Sequence, residues 1–222
     1  MRKKHKNKEN GRSWAVHVAT ARRGFTLLEL LAVIAITLTL ISLSLVGSRS
    51  LINRARSTQC LADLRQTGMA LTLYANDHNG SMPDVYIPQS PWTWPYILQQ
   101  GGYFPPKWGS SPLEVPSCRA NPNYRATYTY GMNDFLTIKT FRLHDAKIPS
   151  RTMLVMDSLC QAGPSNAYRV GDSSAYGLPA FLHAGTANAL FWDGHTESVK
   201  SIPGPSSRLD NPFWNPDTEN QY

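Results

Sequence analysis

Residues 22–46 read RRGFTLLELLAVIAITLTLISLSLV, and this stretch decides the fold. From residue 25 to residue 46 it is mostly apolar, and Glu29 is its single charged side chain. As an α-helix these residues would extend about 33 Å at 1.5 Å per residue, which matches a hydrocarbon core of about 30 Å. The stretch predicts a membrane-spanning helix, because a soluble domain rarely needs so long an apolar run.

The formal net charge of +7 belongs entirely to residues 1–24, which hold eight of the 22 basic and one of the 15 acidic residues. The rest of the chain balances fourteen basic with fourteen acidic residues. By the positive-inside rule, the basic tag stays cytoplasmic and the chain after about residue 47 is translocated. We expect no nucleic-acid partner, since the basicity is a topology signal at one end of the chain.

Residues 22–31, RRGFTLLELL, resemble the cleavage and methylation motif of type IV prepilins and type II secretion pseudopilins. The resemblance implies that a membrane-embedded prepilin peptidase cuts between Gly24 and Phe25 and N-methylates the new Phe25 amine. It also implies that Glu29 neutralises that amine in a neighbouring subunit during assembly. Such a partner would offset the cost of about 2.5–3.5 kcal/mol for a carboxylate inside a membrane helix.

The predicted helix continues beyond the membrane, because residues 49–77 contain no helix breaker. One stripe of small and apolar residues recurs there at spacings of three and four: Leu61, Leu64, Gly68, Leu71 and Ala75. We expect the helix to run from residue 26 to about residue 77 and to end at a cap formed by Asn79 and Gly80. A helix of this length would resemble the spine helix of the pilin family.

The globular head that follows carries strand signals at residues 126–132, 151–156, 188–192 and 195–200. Asp193-Gly194 joins the last two and favours a two-residue type I′ turn. We predict a pilin-like α+β fold, in which the long N-terminal helix packs on a small antiparallel sheet of three or four strands.

The expected organisation has four parts. They are a cytoplasmic prepilin leader (1–24), a spine helix (25–77, with 25–46 transmembrane), an α+β head (78–200) and a Pro-rich irregular tail (201–222).

A second motif lies near the C-terminal end, where His183 is followed by nine residues and then Asp193-Gly194. It resembles the H-X9-DG element of prepilin-type proteins from bacteria with many such genes. A metal site of His183, Asp193 and His195 is disfavoured, because a strand over 187–192 would separate the first two by about 20 Å. We expect a structural hairpin and no metal.

Other candidate ligands have simpler interpretations. Asn76, Asp77 and His78 suit the capped end of the spine helix better than a metal loop. Pseudopilins can hold calcium in a head loop, but no spaced acidic run here matches that site. We therefore expect no cofactor, and calcium stays open without residues assigned to it; Asp210, Asp217 and Glu219 in the tail are too irregularly placed to assign.

The three cysteines, Cys60, Cys118 and Cys160, would face an oxidising compartment after export, so one disulfide is expected at most. We favour Cys118–Cys160, because Cys60 belongs to the spine; spacing leaves the other pairings open.

The motif and the long helix together favour a structural subunit over an enzyme, since the sequence has no G-x-S-x-G, P-loop or H-E-x-x-H motif. We expect a pseudopilin-like subunit of a type II secretion pseudopilus in the bacterial inner membrane. It would be single-pass with a periplasmic head, and would later join a filament. The expected partners are the prepilin peptidase, other pilin-like subunits and an inner-membrane assembly platform.

The alternatives are a type IV pilin or minor pilin, and a membrane-tethered carbohydrate-binding module using Trp92, Trp94 and Trp108.

Overall fold

The computed structural model describes residues 24–87, 93–104, 115–122, 128–137, 139–160, 168–171, 177–204 and 209–219. The chain divides into two compact units, Met1–Val46 and Gly47–Tyr222. All but the final residue of the predicted leader, Gly24, lies outside the described residues.

Helix α1 spans Leu27–Asp77, as predicted. It ends where the chain turns into left-handed backbone, at Asn79 (φ 54°) and Gly80 (φ 84°). The Gly80 N–H donates to the Ala75 carbonyl over 2.7 Å, which satisfies one of the free carbonyls of the last turn. The predicted C-cap is confirmed.

Within the first unit, the described part of α1 is exposed on all sides. The segment Leu27–Ser44 is long and apolar enough to cross a membrane, and none of it is buried. Its hydroxyl side chains bond back to the helix, as when Thr39 Oγ1 donates to the Ile36 carbonyl over 2.8 Å. Because these bonds satisfy the hydroxyl groups within the helix, the hydroxyls do not prevent the helix from lying in lipid.

The second unit contains the C-terminal part of α1, a short helix, a 3₁₀ helix (Asp134–Thr137) and a sheet. Helix α2 spans Trp94–Gln100. The described residues form a sheet of six strands: β1 (Tyr130–Asn133), β2 (Met153–Cys160), β3 (Arg169–Val170), β4 (Gly177–Pro179), β5 (Ala187–Phe191) and β6 (Thr196–Val199). The strand order is β1-β3-β4-β2-β5-β6, and β1 also pairs with β2.

The α+β class is confirmed, but the prediction of a wholly antiparallel sheet of three or four strands is wrong. Among the described residues, β3 pairs in parallel with both β1 and β4. These two added strands have two and three residues. Segments so short carry no readable period, which is why the sequence pattern did not predict them.

The two faces of the sheet pack against different parts of the chain. Leu190 of β5 belongs to the core cluster that includes Leu64 and Leu71 of α1. Its neighbours Ala189 and Phe191 belong to a second cluster on the opposite face, as the alternation of side chains along a strand requires.

The second cluster is completed by the predicted tail. Phe213 and Trp214 are buried there, with Trp214 1% exposed. The Met153 N–H donates to the Phe213 carbonyl over 2.9 Å, and Asn133 Nδ2 donates to the Trp214 carbonyl over 2.8 Å. The described residues of the tail contain no helix or strand, yet they form part of the head's core.

The hairpin between β5 and β6 differs from the predicted type I′ turn. The Phe191 carbonyl accepts a bond from the Gly194 N–H, and the Phe191 N–H donates to the His195 carbonyl, each over 2.9 Å. Gly194 (φ 88°) has left-handed backbone and Asp193 does not. The loop is therefore the three-residue kind, a turn followed by a left-handed glycine.

Candidate functional site

The predicted cleavage and assembly residues lie at the exposed start of α1. Phe25 is 84% exposed, and a Cβ placed on Gly24 would meet no atom within 4 Å. The side chain of Glu29 turns back and accepts bonds from the Thr26 N–H (2.9 Å) and the Thr26 hydroxyl (3.0 Å). In return the Glu29 N–H donates to Thr26 Oγ1 over 3.2 Å.

This reciprocal arrangement is a capping box, in which residues three apart satisfy free N–H groups at a helix start. It holds the Glu29 carboxylate against the backbone N–H of Thr26, the residue that follows the proposed new N-terminus. The roles of Gly24, Phe25 and Glu29 in processing and assembly stay predictions.

The three residues of the H-X9-DG element lie in different environments. His183 is 6% exposed and belongs to the interior, whereas Asp193 and Gly194 form the exposed hairpin loop. Asp193 Oδ1 accepts the His195 N–H over 3.1 Å, which is a bond within the loop. The element thus joins a buried histidine to a hairpin, and His183 does not meet the two loop residues in one site.

His183 instead faces a buried group of residues that come from separate parts of the chain. Its Nε2 lies 3.3 Å from Cys118 Sγ and 3.2 Å from Asp157 Oδ2. Cys118 Sγ in turn lies 2.7 Å from Cys60 Sγ. We call Cys60, Cys118, Asp157 and His183 the cysteine–histidine cluster.

The cluster corrects the predicted preference for a Cys118–Cys160 pair. Cys60 belongs to α1, but this part of the helix packs on the head, so membership of the spine does not keep its sulfur away from Cys118. The side chain of Cys160 lies outside the described residues. Within the described part of the chain, the group close enough to share a metal ion is Cys60, Cys118 and His183.

Asp157 lies at the centre of the polar contacts. It is fully buried in β2, and its Oδ2 accepts the Asn188 N–H over 2.7 Å. Among the residues that the structure describes, its Oδ1 has no hydrogen-bond partner. Sequence reasoning missed this residue, although a lone acid in the apolar strand MLVMDSLC was a usable signal, since buried acids are rare without a partner.

Burial and mutual contact shift the pKa values of the cluster. Burial raises the pKa of Asp157, and the hydrogen bond from His183 opposes that rise. Burial by itself lowers the pKa of His183, but the bonds and charges of Asp157 and Cys60 outweigh it and raise the pKa to about 9. The hydrogen bond between the two thiols lowers the pKa of Cys60 to about 5 and raises that of Cys118.

Four of the other predicted ligand candidates have partners elsewhere in the chain. His78 Nδ1 donates to the Tyr74 carbonyl over 2.8 Å, and Asp77 accepts the Tyr103 hydroxyl over 3.0 Å. Both belong to the end of α1, and exposed Asn76 precedes them. In the tail, Asp217 pairs with Lys139 at 2.8 Å and Glu219 with Lys147 at 3.4 Å.

The alternative of a carbohydrate-binding surface is excluded at Trp94. This side chain is 1% exposed, and its indole N–H donates to the Tyr168 carbonyl. It lies in the core with Leu64 and Leu71, so no sugar can stack on it. Trp92 and Trp108 lie outside the described residues.

Comparison with known proteins identifies the N-terminal site. Residues 20–45 match the family described as Prokaryotic N-terminal methylation motif. The chain thus carries the N-terminus of the type IV prepilin and pseudopilin family, and the motif supports a pilin or pseudopilin subunit that is processed by a prepilin peptidase and assembles with other pilin subunits. No curated protein and no solved structure matches the chain.

Proposed function

We propose that the chain is a pseudopilin-like structural subunit of a type II secretion pseudopilus, with no catalytic role and no cofactor. Prepilin peptidase cleaves between Gly24 and Phe25 and methylates the Phe25 amine. The mature subunit is anchored in the inner membrane with its head on the periplasmic side. From there, an assembly platform moves it into a filament.

The observation that carries this proposal is the apolar surface of α1 directly after the methylation motif. The whole segment Leu27–Ser44 is exposed, including eleven large apolar side chains from Leu27 to Leu43. Burying one such side chain stabilises a protein by about 1.5–3 kcal/mol, so this surface needs a cover. The membrane supplies it before assembly, and the helices of other subunits supply it in a filament.

The distribution of charge along the chain supports insertion, cleavage and assembly in that order. The +7 of the chain lies before the proposed cut, so the mature chain is formally neutral. The basic leader orients insertion and is then removed. A neutral subunit suits close packing of many copies, since it lacks the net repulsion that a strongly charged chain would bring.

The choice of a pseudopilin over a type IV pilin rests on the apolar half of the helix. Type IV pilins often carry a kinking proline there, whereas all 16 prolines of this chain lie at or beyond Pro83. A helix without proline keeps its hydrogen bonds intact through the membrane.

A deletion strain tests the assignment. We expect loss of the gene to retain type II substrates inside the cell while surface pili and their retraction stay normal. Plasmid-borne wild-type protein should restore secretion, and a variant with Gly24 replaced by Trp should not, because a bulky residue blocks the cut. Lost pili with normal secretion would contradict the proposal and assign the chain to a type IV pilus.

A further inference from the structure

The cysteine–histidine cluster brings together two thiols that lie 58 residues apart in sequence. Cys60 is on α1, and Cys118 is in the loop before β1. Both are at most 1% exposed, and their sulfur atoms are in direct contact. Both also belong to the apolar core cluster that includes Leu64 and Leu71, and the buried side chain of His183 lies beside Cys118.

The side chains of Thr129 and Tyr130 bond to backbone groups of the two cysteines. The Cys118 N–H donates to Thr129 Oγ1 over 2.6 Å, just before β1. The Tyr130 hydroxyl donates to the Cys60 carbonyl over 3.3 Å. These bonds come from adjacent residues of one segment, so the sheet positions both sides of the pair at once.

We propose that Cys60 and Cys118 form a disulfide in the mature protein and that this bond links the spine helix to the head. The proposal rests on the proposed function, since export places the head in an oxidising compartment.

A metal ion is the competing occupant, because two thiols and His183 are a familiar zinc donor set. Tetrahedral zinc with Zn–S bonds of about 2.3 Å would hold its two sulfurs about 3.8 Å apart. The sulfurs of Cys60 and Cys118 lie 2.7 Å apart, so zinc would have to separate them by about 1 Å. Direct contact between the two sulfurs favours the covalent bond.

The oxidation needs an acceptor, which is the disulfide of an exported thiol oxidoreductase. The Cys60 thiolate attacks one sulfur of that disulfide and forms a mixed disulfide, and the first leaving sulfur departs as a thiolate. The Cys118 thiolate then attacks the Cys60 sulfur and releases the second. The two protons of the cysteines end on the two released sulfurs, and two electrons reduce the acceptor. The exchange must precede final closure of the head, because both sulfurs are buried in the folded protein.

The bond would close a long loop between the spine and the head. Chain-entropy arithmetic for a loop of this length gives an unfolding equilibrium about a thousandfold smaller than that of the reduced chain. The practical consequence is that the head cannot separate from the helix that anchors it.

The test is peptide mapping of the full-length mature protein, purified from cells with free thiols alkylated at lysis. We expect a Cys60–Cys118 linked peptide, resistant to alkylation until a reductant is added. Cys160→Ser should leave that peptide unchanged, and Cys60→Ser should leave Cys118 open to alkylation after denaturation. Zinc is measured on the same sample.

The same digest contains the N-terminal peptide, which separates the two proposals. Free Cys60 and Cys118 in a chain with a methylated Phe25 would overturn the disulfide and leave the proposed function standing. A linked pair in an uncut chain would support the disulfide and contradict the proposed processing. Stoichiometric zinc that disappears in Cys60→Ser would overturn the disulfide in favour of a metal site.

Discussion

Leu190 of β5 packs against α1 at Gly68, where an added Cβ would lie 3.0 Å from Leu190 Cδ1. At this contact the helix therefore meets the sheet at a residue without a side chain. This contact explains why a glycine is tolerated in the helix interior, where it costs about 1 kcal/mol relative to alanine.

We predict that Leu190→Ala lowers the free energy of unfolding by about 2–5 kcal/mol, because it opens a cavity in a buried contact. In a Gly68→Ala background the loss should be smaller, since the new methyl group occupies part of that space. Denaturant unfolding of the full chain in detergent measures the coupling energy between the two substitutions, which we expect to be about 0.5–3 kcal/mol. Leu73→Ala, at an exposed site on the same helix, is the control. If the changes in unfolding free energy for Leu190→Ala and Gly68→Ala simply add in the double variant, the contact between the two residues is contradicted.

The capping box allows the charge of Glu29 to be separated from its local structural role. Glu29→Gln keeps an acceptor for the Thr26 N–H but removes the charge. We predict that it is cleaved normally and fails to assemble. Thr26→Ser keeps the hydroxyl of the box and should assemble. Cross-linking of subunits in membranes reports assembly, and normal incorporation of Glu29→Gln would show that the charge is not used.

The pH dependence of stability should depend on His183. Its pKa is raised from 6.5 to about 9, so its stabilising contribution is complete below pH 6.5 and is lost as the pH rises through 9. We predict a loss of about 1–3 kcal/mol in unfolding free energy across that range. A disulfide between Cys60 and Cys118 would not reverse the shift of His183, because the hydrogen bond and the charge of Asp157 also raise the pKa of His183.

His183→Gln should flatten this profile, while His144→Gln, at an exposed position, should leave it unchanged. Denaturant unfolding at pH 6 and pH 9.5 makes the comparison. Identical profiles for wild type and His183→Gln would show that the buried pair does not titrate in this range.

The tail is predicted to be part of the folded head. Trp214→Ala should cost about 3–5 kcal/mol, because it removes a fully buried indole from the second face of the sheet. Leu209→Ala, 69% exposed in the same segment, should change stability by less than about 0.5 kcal/mol. Equal effects of the two changes would mean that the tail does not contribute to the core.

The features that sequence reasoning predicted correctly are local. The length of α1 follows from an unbroken apolar and then amphipathic run, and its end follows from Asn79 and Gly80. The strand signals at residues 188–192 and 195–200 correspond to β5 and β6, because two short strand-like runs flank the turn residues Asp193 and Gly194.

The features that it missed depend on which distant segments meet. Nothing in the spacing of Cys60, Cys118 and Asp157 indicates that the three share one buried site, since α1, a loop and β2 each supply one of them. The burial of Trp214 was hidden for the same reason: a proline-rich segment has no period to read, and its packing depends on the sheet it covers.

Mass spectrometry of the mature protein from cells shows whether residue 25 becomes a methylated N-terminus. In wild-type cells we expect a chain that begins at Phe25 and carries one N-methyl group, and in cells without the prepilin peptidase we expect the uncut chain. A mature chain that retains residue 1, or one cut at any bond other than Gly24–Phe25, would contradict this processing.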